Sequence, residues 1–229
     1  MYGLALEDLL RMLFRYGKVT SHEVSLASPL ARRKFEEIVH AMIEANALEA
    51  ADDHYVVRDP LAALAVLRRL GIDPTPYIDY VDWRDFENYV ASTLEALGFE
   101  THLDVKSTSI KRFQIDVLGL DTVSRIGLVV ECKHWSRSRL RALQEEAERL
   151  VKRARRFVDS CEWIAIHIPS IRRVRIFVPM IVAIRSVSPP IVMGIPIVEV
   201  FKLRDFVENL ESYIEELGLL TLSNRCFCG

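Results

Sequence analysis

Three charged side chains interrupt two apolar segments that lie close together in the sequence. Residues 113–120 read Phe-Gln-Ile-Asp-Val-Leu-Gly-Leu, residues 127–135 read Gly-Leu-Val-Val-Glu-Cys-Lys-His-Trp, and a short polar turn separates them. Two apolar runs joined by turn residues predict a β-hairpin. A charge inside a buried strand is costly unless it is paired or holds a metal. Asp116, Glu131 and Lys133 are therefore the residues that most constrain the fold and the function of this chain.

Strand geometry predicts that these charges meet. Alternation along a strand sends Glu131 and Lys133 to one face, and pairing of the two strands places Asp116 beside them. Two carboxylates about 4 Å apart repel by roughly 4 kcal/mol at an effective dielectric near 20. A divalent cation reverses that sign, and carboxylate oxygens suit Mg²⁺ or Mn²⁺. Such an ion activates water and polarises a phosphodiester oxygen, and Lys133 would orient the water or offset charge in the transition state. The alternative is a hairpin with an internal salt bridge.

The hairpin resembles the PD-(D/E)XK nuclease superfamily, which has the restriction-endonuclease-like fold. Asp116 matches the first acid of the motif and Glu131-Cys132-Lys133 matches the acid-x-lysine element. The chain is most similar to the archaeal Holliday-junction resolvases and the Mrr-like restriction endonucleases, which carry a further acid on a preceding helix, here Glu87. It departs from the pattern at Ile115, where the family usually has a small residue or proline. The resemblance covers about residues 82–205.

The resemblance carries several expectations. It implies an α/β fold with a central mixed sheet flanked by helices. It also implies a site in which Asp116 and Glu131 hold Mg²⁺ or Mn²⁺, Lys133 stabilises the transition state and Glu87 supports the metal or its water. The substrate would be DNA. Two copies would pair, because relatives dimerise and cutting both strands needs two sites.

Residues 1–72 predict a small winged helix-turn-helix domain. Helical spacing from Leu4 to Tyr16, a helix capped by Thr20 or Ser21 and a third helix opened by Pro29 precede a hairpin near 48–57 and a closing helix. Arg32, Arg33 and Lys34 cluster on the third helix and invite DNA binding. However, residues 1–60 contain 7 Lys or Arg against 10 Asp or Glu, whereas DNA-binding modules usually have a basic face. A docking or dimerisation role therefore stays open.

Basic residues collect around the proposed site. The span 131–156 contains nine Lys or Arg and four Asp or Glu. Such charge binds backbone phosphates without reading sequence, although it also suits a solvated helix face. The candidate DNA-binding residues lie in the loop before the Asp116 strand and at the start of the following helix; they are Lys106, Lys111, Arg112, Arg137, Arg139 and Arg141.

The rest of the chain predicts further sheet and helix. Residues 136–158 predict one helix, residues 162–168 a strand, the apolar run 174–184 another strand, and 195–200 a last strand before a helix from 203 to about 217. These elements place the nuclease-like domain at residues 77–222. Residues 223–229 would form a disordered tail.

Composition indicates an ordinary intracellular protein. The chain has 229 residues, half of them hydrophobic, and its apolar runs are too short and too interrupted to span a membrane. Its start lacks a signal peptide, which predicts a cytoplasmic protein. Few amides (4 Asn, 2 Gln) and an excess of Arg (23) over Lys (7) fit a thermophile, although genome composition also produces an Arg bias. Cys132 and Cys161 are expected to be buried small hydrophobes, and Cys226 and Cys228 to have no metal or redox role.

Together these features predict a metal-dependent DNA endonuclease of the restriction or repair type. Two rival functions remain. One is a non-catalytic DNA-binding or scaffold protein whose nuclease-like domain is a docking platform. The other is a transcription regulator that acts through the winged helix. The complete acid–acid–lysine set disfavours the first rival, and the acidic N-terminal region disfavours the second.

Overall fold

Helices with well-defined caps form the first part of the chain. The computed structural model describes residues 4–107, 112–135 and 139–228. Its first elements are α1 (Leu6–Tyr16), β1 (Lys18–Thr20), α2 (Ser21–Ser25), α3 (Pro29–Glu44), β2 (Leu48–Ala50), β3 (His54–Val57) and α4 (Pro60–Arg69). Gly17 ends α1 at φ 68°, a conformation that favours glycine. The Thr20 side chain accepts a hydrogen bond from the Glu23 amide and caps α2, as its position predicts.

The first helices pack on a small antiparallel sheet with strand order β1-β3-β2. The buried face of α3 carries Phe35, Ile38, Val39 and Met42, as the sequence predicts. Ile43 is 37% exposed, because it lies one step round the helix from Met42. The order of elements is that of the predicted winged helix-turn-helix; its identity as a DNA-binding module stays a prediction.

The predicted linker region after α4 contains a 3₁₀ helix at Thr75–Tyr80. Within it Tyr77 is buried and stacks on Phe14 of α1, with ring centroids 5.2 Å apart. The chain divides into two compact units, Met1–Tyr89 and Val90–Gly229, and this division falls inside α5 (Trp83–Glu95). The domain bounds 1–72, 77–222 and 223–229 stay predictions.

The second unit is built on a mixed sheet. Its strands are β4 (Glu100–Ser107), β5 (Phe113–Asp121), β6 (Ile126–Lys133), β7 (Ile176–Ala183), β8 (Ile191–Val192), β9 (Ile195–Glu199) and β10 (Leu222–Ser223). The order along the sheet is β4-β5-β6-β7-β9-β8, and β10 pairs with the start of β7. The pairs β4–β5 and β5–β6 are antiparallel, whereas β6–β7 and β7–β9 are parallel. The predicted central mixed sheet flanked by helices is confirmed.

The long helix α6 (Leu140–Asp159) covers one face of this sheet. Its inner side presents Leu143, Ala147, Leu150, Ala154 and Phe157, all fully buried. Phe157 meets Phe113 and Phe177 edge to face, with centroids 5.7 and 5.1 Å apart. This core fixes α6 over β5 and β6, and it thereby fixes the position of any side chain on the inner face of α6.

Two predicted elements differ from the structure. Residues 162–168 were expected to form a strand, but Cys161–His167 is a short helix, α7. Its buried residues Cys161, Ile164 and Ala165 follow helical spacing, while Ile166 is 73% exposed. Periodicity cannot separate helix from strand in so short an apolar run. The expected helix from 203 to 217 is interrupted at Asn209 and forms α8 (Leu203–Glu208) and α9 (Leu210–Glu216).

The C-terminal segment is fastened to the domain, contrary to the prediction of a disordered tail. Cys161 is buried, as expected, but a disulfide joins it to Cys226, so neither is a free thiol and Cys226 is a covalent anchor that the sequence did not predict. The buried Asn224 side chain donates hydrogen bonds to the Ile171 and Val174 carbonyls at 2.8 and 2.7 Å. The Cys228 amide donates to the Arg172 carbonyl. These contacts satisfy backbone acceptors that the end of the chain would otherwise leave unpaired.

The length and composition of the helices bear on whether the chain could cross a membrane. Within residues 4–107, 112–135 and 139–228, none of the helices combines the length and the apolar character that crossing a bilayer requires.

Candidate active site

Asp116 lies where the β5–β6 hairpin opens. The ladder between the two strands runs from Asp121↔Ile126 to Val117↔Val130 and stops there. One residue further along β5, the Asp116 carboxylate takes the place of a backbone acceptor: its Oδ2 accepts a hydrogen bond from the Cys132 amide at 2.9 Å. Asp116 is 9% exposed. The hairpin therefore holds a buried carboxylate at its open end through a main-chain contact of the neighbouring strand.

The backbone around Asp116 is irregular both on β5, which carries the residue, and on the paired strand β4. Ile115 and Leu118 both pack in the core under α6, although strict alternation would put residues three apart on opposite faces. On β4, Asp104 lies between the pairs Leu103↔Val117 and Val105↔Ile115, opposite Asp116, and has φ 50°. Positive φ is unusual for a non-glycine residue and is often retained at functional sites.

Glu131 and Lys133 lie on the same face of β6, as alternation predicts. Lys133 Nζ is 2.5 Å from Glu131 Oε1, and the two side chains are 20% and 4% exposed. Cys132 between them is fully buried. A buried carboxylate needs a compensating cation, and Lys133 supplies one. The acid-x-lysine element is thus a close ion pair at the C-terminal end of β6, an inner strand of the sheet.

Helix α6 completes the cluster with residues that the sequence analysis did not assign to the site. Glu146, 6% exposed, has Oε1 at 3.5 Å from Lys133 Nζ and 3.2 Å from Arg153 Nη2. Its Oε2 lies 2.6 Å from Arg149 Nη2. Arg153 Nη2 also lies 2.7 Å from Glu131 Oε2. Two buried carboxylates, Glu131 and Glu146, are therefore joined by two shared cations, Lys133 and Arg153.

A signal for Glu146 and Arg153 is present in the sequence. Leu143, Leu150 and Phe157 mark the buried stripe of α6, and positions 146 and 153 fall on the same stripe at steps of three and four residues. An acid and a base at apolar positions of an amphipathic helix indicate a buried ion pair. Glu146 and Arg153 entered the prediction only through the total charge of 131–156, so their place in the site was not predicted.

The electrostatics of Glu146 favour its ionised form. Burial on its own raises the pKa of the Glu146 carboxyl, but the Arg149 hydrogen bond and the charges of Lys133, Arg149 and Arg153 outweigh burial and leave the pKa below its ordinary value. The same contact raises the pKa of Arg149. Glu146 therefore stays charged and holds the basic side chains over the open end of the hairpin.

The donor set fits a hard divalent cation. Among the described residues, Glu131 Oε2 has no aligned hydrogen bond, although Arg153 Nη2 lies 2.7 Å away as an ion-pair partner. A buried carboxylate oxygen without a hydrogen bond is a donor that Mg²⁺ or Mn²⁺ selects, and Glu131 directly precedes Cys132, whose amide donates to the Asp116 carboxylate. Within residues 4–107, 112–135 and 139–228 no group of three or more Asp, Glu, His or Cys is arranged around one metal position. The protein's own ligands would thus be Asp116 and Glu131, with the remaining positions open to water and phosphate.

Glu87 lies on α5, in the first compact unit, whereas Asp116, Glu131 and Lys133 belong to the second. It is partly buried and accepts a hydrogen bond from the indole nitrogen of Trp83, one turn earlier. Its support of the metal site stays a prediction.

The candidate DNA-binding residues have varied surroundings. Lys106 pairs with Asp104, and Arg141 pairs with Glu145 at 3.1 Å. Arg139 is the exposed residue that precedes α6, and the exposed Arg112 accepts a hydrogen bond from Arg156 at its carbonyl. Two further candidates, Lys111 and Arg137, lie outside the described residues. Their contact with DNA stays a prediction.

Residues 78–157 match the family model Mrr_cat, described as a restriction endonuclease. The match is consistent with the PD-(D/E)XK superfamily that the motif indicated, and the matched range contains Asp116, Glu131, Lys133, Glu146 and Arg153. The family resemblance is thus confirmed for this part of the chain.

Solved structures add a remote likeness. The chain is similar to the crystal structure of protein VC1899 from Vibrio cholerae, with 13% sequence identity and a TM-score of 0.40. The likeness covers 91% of this chain and 49% of that one, so the chain spans about half the length of its solved neighbour. No curated protein matches the sequence.

Proposed function

We propose that this protein, whose residues 78–157 match a restriction-endonuclease family, is a metal-dependent endonuclease that hydrolyses phosphodiester bonds of DNA. The observation that carries the proposal is the set of charges at the open end of the hairpin. Asp116 accepts from the Cys132 amide, and Glu131 lies 2.5 Å from Lys133. Two acids and a lysine on adjoining strands are the parts that metal-assisted hydrolysis requires.

We assign each residue of the proposed site a role in catalysis. Asp116 and Glu131 hold Mg²⁺ or Mn²⁺, and the ion supplies Lewis-acid polarisation of the scissile phosphate. Lys133 donates from its ammonium group to the substrate and offsets the negative charge that grows on the phosphate. Glu146 pairs with Lys133 at 3.5 Å and limits its rotamers. Glu87 supports the metal or its water, as the resemblance implies.

The substrate and the assembly follow from the same domain. A nuclease domain implies a DNA substrate, and the basic residues at both ends of the site suit its phosphate backbone. We infer that two copies pair, since each copy carries one site and a duplex has two strands to cut. Light scattering on the purified protein, with and without a DNA duplex, measures this assembly.

Cleavage of supercoiled plasmid tests the proposed function. We expect nicking with Mg²⁺ or Mn²⁺ and none with a chelator. Asp116→Asn keeps an oxygen for the Cys132 amide while it removes the charge, and Lys133→Ala removes the ammonium group. Each variant is expected to lower the rate by about 100-fold or more. The matched controls Asp205→Asn and Lys202→Ala change exposed residues of the same unit and should leave the rate unchanged.

Two results would contradict the proposal. One is nicking that survives both substitutions, and the other is nicking that a chelator does not stop. A panel of junction, flap, single-stranded and methylated duplex substrates then identifies the preferred DNA, because the site itself contains no feature that selects among them.

One observation favours a second candidate, a DNA-docking platform without catalysis. Glu131 and Glu146 already have cationic partners within the protein, which is how a purely structural ion-pair cluster is arranged. Wild-type protein that binds duplex DNA but cleaves no substrate in any divalent metal would support this candidate.

A further inference from the structure

We propose that Arg153 is the internal counter-ion of Glu131 that a divalent metal has to displace, with Glu146 as the partner that retains the guanidinium afterwards. This inference rests on the metal site of the proposed function and adds to it a residue outside the acid–acid–lysine set. It assigns to α6 the control of how tightly that site binds a metal ion.

The contact that would be lost is close but weakly directed. Arg153 Nη2 lies 2.7 Å from Glu131 Oε2. Among the described residues, neither that oxygen nor Arg153 Nε has an aligned hydrogen bond, although both atoms are buried. An arginine that is fixed on a carboxylate normally makes two parallel hydrogen bonds. On the Glu131 side the contact is an ion pair without an aligned hydrogen bond, so a doubly charged ion competes for the same oxygen without breaking a bidentate pair.

The same nitrogen has a second carboxylate within reach. Arg153 Nη2 donates to Glu146 Oε1 at 3.2 Å; Glu146 is buried on α6, and the partly buried Arg153 follows it seven positions later. A guanidinium that leaves Glu131 therefore keeps a partner and is not stranded as an uncompensated charge. Its side chain is 25% exposed, so the opening beside it gives the group room to turn.

The other cations of the cluster are less suited to this role. Lys133 occupies the opposite oxygen of Glu131, Oε1, and belongs to the acid-x-lysine element. Arg149 contacts Glu146 and is 58% exposed. Only the oxygen near Arg153 combines burial with the lack of an aligned hydrogen bond among the described residues. Arg153 is thus the cation that lies against the carboxylate oxygen that a metal ion would need as its ligand.

Metal binding in the absence of DNA tests the proposal. Titration calorimetry with Mn²⁺ alone measures the Kd of wild type, Arg153→Met and Arg149→Met. We expect Arg153→Met to bind Mn²⁺ about tenfold more tightly, which corresponds to about 1.4 kcal/mol, because the competing charge is gone. Arg149→Met also removes one positive charge from α6 and one partner of Glu146, but in the part of the chain that the structure describes Arg149 does not contact Glu131 in an ion pair. It should therefore change the Kd for Mn²⁺ by less than about threefold. Metal-free Arg153→Met should also melt below wild type, and Mn²⁺ should raise its Tm more than it raises that of wild type.

Unchanged or weaker Mn²⁺ binding by Arg153→Met would overturn the proposal, and so would equal tightening in Arg149→Met. The gain should disappear in the double variant Asp116→Asn/Arg153→Met; if it remains, the ion binds elsewhere and the proposal fails. Should Arg153→Met not fold without metal, Arg153→Gln, which removes the charge but keeps a hydrogen-bond donor, must still bind Mn²⁺ more tightly than wild type.

Plasmid cleavage separates this proposal from the function on which it rests. If wild type cleaves DNA but Arg153→Met leaves the Kd for Mn²⁺ unchanged, the counter-ion role is wrong and the nuclease function stands. Tighter Mn²⁺ binding by Arg153→Met in a protein that cleaves no DNA sinks the nuclease function and supports the counter-ion role.

Discussion

Helices α3 and α6 carry similar charges, but they place them in opposite environments. On α3, Glu37 pairs with Arg33 at 3.8 Å and with Lys34 at 3.1 Å, and all three side chains are about half exposed or more. On α6, Glu146 pairs with Arg149 and Arg153, and its side chain is 8% exposed. Each acid meets two basic residues of its own helix, so burial is the main difference between the two clusters.

Burial decides what each cluster can do. Exposed ion pairs are screened by water and salt and contribute little. Around a buried carboxylate the screening is weak, so a missing partner is felt strongly. The predicted DNA-binding face of α3 is also partly compensated: Glu37 pairs with two of its basic residues, and Arg32 donates to the Ser25 carbonyl. The α6 cluster surrounds the candidate site, whereas the α3 cluster has the features of a solvated helix face.

The largest effect is expected where the buried acid is removed. Glu146→Gln should lower the free energy of unfolding by about 2–3 kcal/mol, because three cations lose a shared carboxylate. The loss is limited because those cations are themselves partly exposed to water. Urea denaturation at neutral pH measures it. Glu145→Gln is the matched control, since Glu145 is a half-exposed neighbour paired with Arg141, and it should cost less than about 0.5 kcal/mol. Equal losses in the two variants would erase the contrast between buried and exposed pairs.

Acid should remove the advantage of Glu146 over its glutamine variant. The pKa of Glu146 lies below its ordinary value of 4.5 in the folded protein, so its ionisation contributes stability above that value. The contribution is lost as the pH falls through the lower, folded pKa. We therefore expect the stability difference between wild type and Glu146→Gln to be constant from about pH 6 to 8 and to shrink below about pH 4.5. A difference that persists at pH 2–3 would mean that packing, and not charge, stabilises this position.

The smallest effect is expected on α3. Glu37→Gln removes the acid shared by Arg33 and Lys34, and it should change the free energy of unfolding by less than about 0.5 kcal/mol. Whatever change occurs should fall further in 1 M salt, where the Debye length is about 3 Å. A loss above about 1 kcal/mol would show that an exposed cluster can match a buried one and would overturn the comparison.

Local signals in the sequence predicted much of the fold. Glycine at the end of α1, the Thr20 cap of α2 and the two apolar runs of the β5–β6 hairpin each act over a few residues, and each is confirmed. Alternation along β6 also predicted that Glu131 and Lys133 share a face. These features depend on neighbours in the chain, which is why a single sequence reveals them.

Features set by distant residues were missed. The contact of Glu146 with Lys133 depends on how α6 crosses the sheet, and the Cys161–Cys226 bond joins residues 65 positions apart. The prediction of a strand at 162–168 was wrong because its apolar run is equally compatible with a short helix that buries one face against the core. Packing, and not local propensity, decided each of these cases.

The bond between Cys161 and Cys226 has a practical consequence for anyone who assays this protein. Both cysteines are buried, so thiol reagents such as dithiothreitol, which are routine additives in enzyme buffers, reach the bond for exchange as the domain unfolds. A melting curve recorded with such a reagent therefore describes a different covalent species from one recorded without it. The C-terminal segment would then be attached without a covalent bond, through contacts such as those of Asn224, the Cys228 amide and the short β10–β7 pairing. Stabilities from the two buffers should be compared only after the free thiols of each sample have been counted.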